Sequence, residues 1–262
     1  MISSTDQLGN LVIVDKVPER IISLVPSQSE LLWDLGLKSE LKGITKFCIH
    51  PNELFNTIAK IGGTKNLNIE KIKSINPDII IANKEENQKE QIEELQKLYP
   101  VWISDVNDLS DALKMIAELG NLLQRVRQAE LLTNNILKKF KSVNKINKET
   151  RVIYLIWKDP LMAVSTSTFI DSMLNECGLT NVAVTKKSRY PQLTMDELIH
   201  LNPDYVFLST EPYPFTEVHI AHFKKMLPNT EVLLVDGEYF SWYGSRLQHA
   251  PDYFNELLLK LK

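Results

Sequence analysis

The chain carries one pattern of residues twice, and this internal repeat limits the folds that it can adopt. Each copy contains a β-rich run, an Asn-Pro-Asp turn and a second apolar run, in that order. The β-rich runs begin at Arg20 and Arg151, and the Asn-Pro-Asp turns begin at Asn76 and Asn202. Asn-Pro-Asp alone is a common turn between a helix and a strand, but its recurrence in register with flanking strands indicates a duplication. The sequence therefore predicts two copies of one lobe.

Local patterns within each copy favour alternating strands and helices. The run 78–82 is almost continuously apolar, as expected for a strand that is covered on both faces. After the first strand, Ser27, Glu30 and Gly36 supply a cap, an acid near the helix start and a stop signal for a helix. We expect an α/β fold with two homologous parallel-sheet lobes.

The segment between the two copies has the apolar spacing of helices, and Gly120 is the one helix breaker in it. It predicts a helix to about Leu123 and a longer one to about Val143. A helix of about 20 residues is about 30 Å long, so it would join the lobes stiffly, with a ligand cleft between them. The expected organisation is an N-terminal α/β lobe, a helical segment and a C-terminal α/β lobe, at 1–107, 108–149 and 150–262.

Composition excludes several classes of function. A net charge of −3 over 262 residues argues against nucleic-acid binding. Two distant cysteines, Cys48 and Cys177, make neither a disulfide framework nor a zinc site, and we interpret both as buried, inert thiols. No phosphate-binding glycine loop and no G-x-S-x-G motif is present. The start, 1–10, is polar and lacks a secretory apolar region.

Four features in order carry a family resemblance. They are Pro-Ser-Gln-Ser-Glu at 26–30, Gly-Gly-Thr-Lys-Asn at 62–66, the two Asn-Pro-Asp turns and the predicted inter-lobe helix. With them, residues 19–258 resemble the substrate-binding proteins of ABC importers for vitamin B12, ferric siderophores and haem, most nearly the vitamin B12-binding type. Lys65 and the polar run 83–87 depart from the aromatic cleft of that type and indicate a wetter, more charged one.

The resemblance implies a binding protein and not an enzyme. The expected ligand is a metal chelate, a corrinoid before a ferric siderophore or haem, and the metal arrives with the ligand, so that no cofactor belongs to the protein. The expected partners are the membrane subunits of an ABC transporter, with no nucleic acid, and the protein itself is a monomer that does not span the membrane. It would work in the periplasm or at the membrane surface if a leader was trimmed, and in the cytoplasm if Met1 is the native start.

Candidate ligand contacts follow from the rule that open parallel α/β sheets bind ligands beyond the carboxyl ends of their strands. In the first lobe they are Ser27, Gln28, His50, Lys65, Asn66 and Asn83. In the second lobe they are Trp157, Tyr190, Tyr213, Phe215, Trp242, Tyr243 and Arg246. Aromatic rings offer flat surfaces to a planar ligand, although half of the aromatic residues after 238 would instead anchor their own loop. Arg246 is suited either to pair with a ligand carboxylate or phosphate or to cap a helix end.

Two acidic residues occupy the same place in the two copies. Glu70 and Asp196 each lie seven residues before the proline of their Asn-Pro-Asp turn. In the resembled family, acids at these positions meet arginines of the membrane-embedded subunits. Alternatively, Asn68 and Thr194 are helix caps, which would place both acids in a first helical turn, where the helix dipole favours negative charge.

Other readings stay open at this stage. The histidines His219 and His222 share a helix face, but the spacing suggests no third ligand, so we interpret them as an exposed polar face and predict no metal site. A cytoplasmic carrier or sensor of the same fold would need no leader. A two-lobed enzyme dependent on a nucleotide or cofactor would need a phosphate loop or clustered cysteines, and the sequence has neither.

Overall fold

The computed structural model describes residues 1–185 and 188–261. Within them the chain forms two compact units, and each contains a mainly parallel sheet with helices. The first unit comprises Met1–Val106, Ser110–Leu137 and Trp242–Gln248, and the second comprises the other described residues. The expected α/β architecture with parallel sheets is confirmed.

The first half of the chain builds the sheet of the first unit. Its elements are β1 (Ile2–Thr5), β2 (Leu11–Val14), β3 (Ile21–Ser23), α1 (Pro26–Asp34), β4 (Leu41–Ile44), α2 (Asn52–Thr57), β5 (Ala59–Lys60), β6 (Gly62–Gly63), β7 (Asn66–Leu67), α3 (Ile69–Ile75), β8 (Ile79–Asn83), α4 (Lys89–Gln96), β9 (Val101–Ser104), α5 (Leu109–Leu122) and α6 (Val126–Phe140). The main sheet has the order β5-β4-β3-β8-β9, and every neighbouring pair in it is parallel. Ile22, Ile80 and Ile103 contribute to the apolar core on one face.

The second half builds a second sheet on the same plan. Its elements are β10 (Arg151–Trp157), β11 (Met162–Ala163), α7 (Phe169–Glu176), β12 (Thr180–Asn181), α8 (Met195–Leu201), β13 (Tyr205–Ser209), α9 (Glu217–Met226), β14 (Glu231–Val235), α10 (Gly237–Ser241), a 3-10 helix (Ser245–Gln248) and α11 (Ala250–Leu258). The sheet order is β11-β10-β13-β14, with β12 also parallel to β10. The short strand β11 is antiparallel to β10, a departure from the expected parallel pattern.

The repeated Asn-Pro-Asp turn performs the same structural task in both units. In the first unit the Asp78 carboxylate accepts a hydrogen bond from the backbone N–H of Arg20, at 2.9 Å, while the Arg20 guanidinium donates to the carbonyl of Asn76, at 2.7 Å. In the second unit Asp204 accepts from the backbone N–H of Arg151, at 2.8 Å. Each turn thus ties the end of a helix to the start of the first sheet strand, which explains why the arginine and the turn recur together.

The connecting helix is shorter than the sequence led us to expect. The helical conformation is interrupted between α5 and α6 at Gln124, whose φ is +55°. Helix α6 ends at Phe140 and not near Val143. With 15 residues it is about 22 Å long, so the prediction of a 20-residue helix was wrong. Gly120, the expected helix breaker, lies inside α5.

Gly120 instead allows α5 and α6 to approach each other, and this gives a stability prediction. A Cβ at position 120 would overlap the Ala129 Cβ, because the two atoms would be much closer than van der Waals contact allows. We expect Gly120→Ala to lower the free energy of unfolding by about 1–3 kcal/mol through overpacking, although alanine favours a helix by about 1 kcal/mol. Urea unfolding measures the change. Adding Ala129→Gly should restore part of the loss, and a fully stable single variant would contradict this account.

The N-terminal hairpin was not foreseen from the sequence. Strands β1 and β2 pair antiparallel from Ile2 opposite Val14 to Thr5 opposite Leu11. Val12 and Val14 are buried, whereas Leu11 and Ile13 on the other face are exposed. A four-residue run with alternating burial is too short to be distinguished from a loop by periodicity alone. No helix in the described residues is both long and apolar enough to cross a membrane.

Candidate functional site

The start of α1 lies at the carboxyl end of β3, but its polar side chains point into the first unit. Gln28 is fully buried, and its amide donates hydrogen bonds to the Ser104 hydroxyl and to the Met115 sulfur, the latter at 3.4 Å. Ser27 is also buried. These contacts fasten α1 to β9 and α5. Neither side chain has the exposure expected of a ligand contact, because both are used for packing within the unit.

Asn83, at the end of β8, shapes the turn that follows. Its carbonyl oxygen accepts from the backbone N–H groups of Glu85 and Glu86, at 2.8 and 2.9 Å, and its amide donates to the Ser104 hydroxyl at 3.0 Å. Such an Asx turn needs a short polar side chain. Asn83 is buried, so its role in the unit is to hold the polar loop 84–87.

Lys65 and Asn66 are exposed beside this loop. The Lys65 ammonium donates to the carbonyl oxygen of Glu85. Burial raises the pKa of Glu86, and the positive charge of Lys65 opposes that shift. The charged side chains of the loop, Lys84, Glu85 and Glu86, are exposed or partly buried, whereas Asn83 and Asn87 at its two ends are buried.

Two apolar side chains in this region were missed. Phe47 and Ile49 follow β4 and are 50% and 45% exposed, and the Lys46 ammonium lies 5.1 Å from the centre of the Phe47 ring. Both residues lie beyond the carboxyl end of a sheet strand, where apolar side chains are suited to a ligand. The signal was available, because the sequence has two large apolar residues immediately before His50.

The 242–248 segment packs against α1 within the first unit. The Trp242 ring contacts His50 edge to face, with ring centroids 5.6 Å apart, and the Arg246 guanidinium lies 4.7 Å from the Trp242 centroid. Gly244 is required for this packing, because a Cβ there would lie 2.6 Å from the Ser27 carbonyl oxygen. The position of Trp242 and Arg246 in the sequence predicts that they belong to the second lobe, but the structure places them in the first unit.

Arg246 is occupied by a carboxylate of its own unit. Its Nε and Nη2 atoms donate to the two oxygens of Glu30, at 3.0 and 2.8 Å, and both side chains are 14% exposed. Burial raises the pKa of Glu30, and the hydrogen bond and positive charge of Arg246 oppose the shift. The bidentate geometry pairs the charge of the guanidinium with that of the carboxylate. Arg246 is therefore an internal partner of Glu30.

In the second unit, Trp157 and Tyr213 form an aromatic pair at the carboxyl ends of β10 and β13. Their ring centroids are 5.5 Å apart in an edge-to-face arrangement, and Trp157 is 38% exposed. The indole N–H donates to the carbonyl oxygen of Asp159, at 3.0 Å. The pair is therefore both held in place and accessible, as a stacking surface for a ligand requires.

The other aromatic candidates are more enclosed. Phe215 belongs to the apolar core of the second unit, and Tyr243 and Trp242 are only 7% exposed. Tyr190 is partly buried, and its backbone N–H donates to the Ser188 hydroxyl at 3.1 Å. For Phe215, Trp242 and Tyr243, packing accounts for the aromatic ring without a ligand.

Both cysteines are buried in the interior of the protein. The Cys48 sulfur lies 3.1 Å from the Ser29 hydroxyl and 3.2 Å from that of Thr45, and burial raises the pKa of its thiol. Burial raises the pKa of Cys177 to about 12. Thiols in this state are poor nucleophiles and poor metal ligands. The described residues contain no group of three or more His, Cys, Asp and Glu side chains that could hold a metal.

Comparison with known proteins gives this geometry a family context. A model of the periplasmic binding protein family matches residues 21–229, about four-fifths of the chain. The chain belongs to the periplasmic binding protein family. The homologues of this chain are substrate-binding proteins, so the chain is a binding protein and not an enzyme.

Individual members of the family show how far the similarity extends. The vitamin B12-binding protein of Vibrio parahaemolyticus is 23% identical over 205 residues, which cover 77% of this chain and 74% of the relative. An uncharacterized ABC transporter substrate-binding lipoprotein of Bacillus subtilis, YvrC, is 27% identical over 208 residues, or 74% of this chain and 65% of the relative. The crystal structure of the haem-binding protein HutB of Vibrio cholerae is 18% identical and has a TM-score of 0.78, covering 91% of this chain and 98% of that one. The last similarity shows a shared fold.

Glu70 and Asp196 lie on equivalent helices of the two units, α3 and α8. Asn68 caps α3 by accepting from the Lys71 N–H, and Thr194 forms a capping box with Glu197 on α8. Both caps were predicted correctly. Glu70 and Asp196 are exposed in the first turns, and Glu70 forms an ion pair with Lys73, at 3.0 Å. Neither acid is the capping residue of its helix.

Proposed function

We propose that this periplasmic binding protein is the substrate-binding component of an ABC importer and that its ligand is a metal chelate. The observation that carries the proposal is the pair of exposed Trp157 and half-buried Tyr213 at the carboxyl ends of two parallel strands. Aromatic surface gives a planar or macrocyclic ligand most of its contact area, and a few polar groups then fix its orientation. The metal arrives with the ligand.

Among metal chelates, a corrinoid is the first candidate and haem or a ferric siderophore the next. Relatives named as vitamin B12-binding support the first, and the haem-binding structural neighbour supports the second.

A titration of the purified protein distinguishes these ligands. Cobalamin, cobinamide, haem and a panel of ferric siderophores are added separately, and binding is followed by calorimetry and by the absorbance of each chelate. We expect saturable one-to-one binding of one class. If none of these chelates binds at micromolar concentration, the metal-chelate proposal is wrong.

Trp157 provides the most direct test of the aromatic surface. We expect Trp157→Ala to weaken chelate binding by about 1–3 kcal/mol, the usual range for the loss of a central aromatic contact. Calorimetry is the measurement, since the substitution itself changes the tryptophan fluorescence. Leu131→Ala, which removes a 63% exposed apolar side chain on α6, serves as the control and should bind as the wild type does. Unchanged affinity in Trp157→Ala would remove this residue from the site.

We further propose that Glu70 and Asp196 meet basic residues of the transporter's membrane subunits. Two exposed acids at equivalent positions of two homologous units form a matched pair of contacts for a transporter with two membrane subunits. Charges at such positions mainly steer the encounter and fix its orientation. The protein would act outside the cytoplasmic membrane, as its periplasmic and lipoprotein relatives do.

A further inference from the structure

His219 contacts Tyr213, one member of the aromatic pair of the second unit. It is the third residue of α9, and its Nδ1 atom accepts a hydrogen bond from the backbone N–H of Thr216, at 3.0 Å. Its Nε2 atom lies 3.3 Å from the hydroxyl oxygen of Tyr213. The imidazole ring also contacts the rings of Tyr213 and Phe215 edge to face, at 5.6 and 5.3 Å between centroids. One side chain therefore connects the helix start to the aromatic loop.

These contacts fix which nitrogen of His219 carries the proton. A backbone N–H can only donate, so Nδ1 must present its lone pair to Thr216. In a neutral imidazole the hydrogen is then on Nε2, which donates to the Tyr213 hydroxyl. The Thr216 hydroxyl, 3.1 Å from Nδ1, donates to the same lone pair. The arrangement needs a neutral ring, because a second proton on Nδ1 would face the Thr216 N–H.

The protonation state of His219 can affect the proposed ligand surface through Tyr213. Tyr213 packs against Trp157, and its backbone N–H donates to the Ile156 carbonyl at 3.3 Å, next to Trp157 in β10. We propose that neutral His219 is a positioning residue for the Trp157–Tyr213 pair, so that ligand affinity decreases when acid protonates His219. This inference rests on the proposed function, in that the pair is taken as the ligand surface.

The titratable groups around His219 come from the loop after β13 and from α9 itself. The titratable group in contact with its ring is the Tyr213 phenol, from the loop after β13, and the nearest ones along α9 are Glu217 and His222. Across the described residues, no carboxylate or ammonium group forms an ion pair with the ring. Histidine is the side chain whose charge ordinarily changes between about pH 5 and 8. A second proton would remove the Nδ1 lone pair that accepts from the two Thr216 donors, whereas the Nε2–H would still donate to Tyr213.

Three substitutions separate positioning from a simple structural role. His219→Gln keeps a residue type that completes a capping box at this helix position, but it cannot titrate or stack on Tyr213. Tyr213→Phe keeps the ring and removes the hydroxyl that His219 contacts. His222→Gln removes the neighbouring histidine of the same helix, which contacts Phe223 and not Tyr213, and is the matched control.

The affinity test uses cyanocobalamin and haem, titrated by calorimetry at several values between about pH 5.5 and 8. For whichever binds, we expect the dissociation constant of the wild type and of His222→Gln to rise about three- to tenfold toward acid, the scale of losing one hydrogen bond. The dissociation constant of His219→Gln should change little with pH, and that of Tyr213→Phe should rise less toward acid than that of the wild type. An unchanged pH profile in His219→Gln would overturn the proposal, as would a flat profile in the wild type.

A second readout needs no ligand and therefore separates this inference from the proposed function. The indole N–H resonance of Trp157, assigned with Trp157→Phe, should shift with pH in the wild type and stay constant in His219→Gln. If this signal follows pH as expected while no chelate binds, the positioning role stands and the proposed ligand class fails. If the signal does not move, His219 does not position the pair.

Discussion

Arg246→Ala is expected to lower the free energy of unfolding by about 2–4 kcal/mol. The substitution leaves the Glu30 carboxylate without its bidentate partner in a place where both side chains are 14% exposed, and breaking such a pair from one side is costly. It also removes the guanidinium from the face of Trp242. Urea unfolding, followed by tryptophan fluorescence, measures the loss.

Two comparisons make this prediction specific. Lys139 and Asp252 form an equally short ion pair at 2.7 Å, but they are 33% and 65% exposed, so Asp252→Asn should cost less than about 1 kcal/mol. The double variant Glu30→Gln/Arg246→Met should be more stable than Arg246→Ala, because no charge is then left without a partner. If Arg246→Ala is no less stable than Asp252→Asn, the Glu30–Arg246 pair contributes little to stability.

The loss should also depend on pH in a defined direction. Burial raises the pKa of Glu30 in the folded protein, and Arg246 opposes this. Without Arg246 the opposing effect is gone, so the folded state prefers protonated Glu30 more strongly. A carboxyl group with a raised folded-state pKa contributes stability at acid pH, and that contribution is lost as pH rises through the folded pKa. Arg246→Ala should therefore be closer to the wild type in stability near pH 4 than at pH 7, about the range in which carboxyl groups titrate.

Reversing Glu70 and Asp196 to lysine together is expected to abolish stimulation of the transporter's ATPase while chelate affinity stays at the wild-type value. Both side chains are exposed, and neither caps its helix, so the fold depends only weakly on their charge through the helix dipole. A lysine at each position would place a positive charge opposite the basic residues proposed on the membrane subunits. Like-charge contacts of this kind suppress association strongly. The assay uses the transporter reconstituted in liposomes, with ATP hydrolysis as the readout.

A matched double reversal controls for helix-dipole effects. Glu90 and Asp252 are also exposed acids in the first turns of helices, one in each unit, and Glu90→Lys/Asp252→Lys should leave ATPase stimulation intact. If the Glu70/Asp196 double reversal leaves stimulation unchanged and only lowers the melting temperature, the two acids stabilise helix termini and do not contact a transporter. Loss of stimulation in both double variants would indicate a general effect of net charge.

The sequence by itself determined the repeated α/β plan, because each of its signals acts over a few residues. Apolar runs such as 78–82 form strands that are covered on both faces, and Asn68 and Thr194 cap helices through hydrogen bonds to residues three positions away. The Asn-Pro-Asp turns begin with an asparagine in the left-handed conformation, which asparagine tolerates better than most residues. Interactions of such short range can be recognised in the sequence alone.

Tertiary structure decided which candidate residues remain accessible. Gln28 and Phe215 were good candidates by position, yet side-chain packing uses both. Arg246 lies 216 positions from Glu30 in the chain, and no local pattern predicts that two such distant groups will neutralise each other. Trp157 stays 38% exposed although Tyr213 packs against it in an edge-to-face contact. Burial and long-range pairing depend on how all the elements pack together, and this is why the sequence predicted the positions of candidate groups but only the fold determined which of them a ligand can reach.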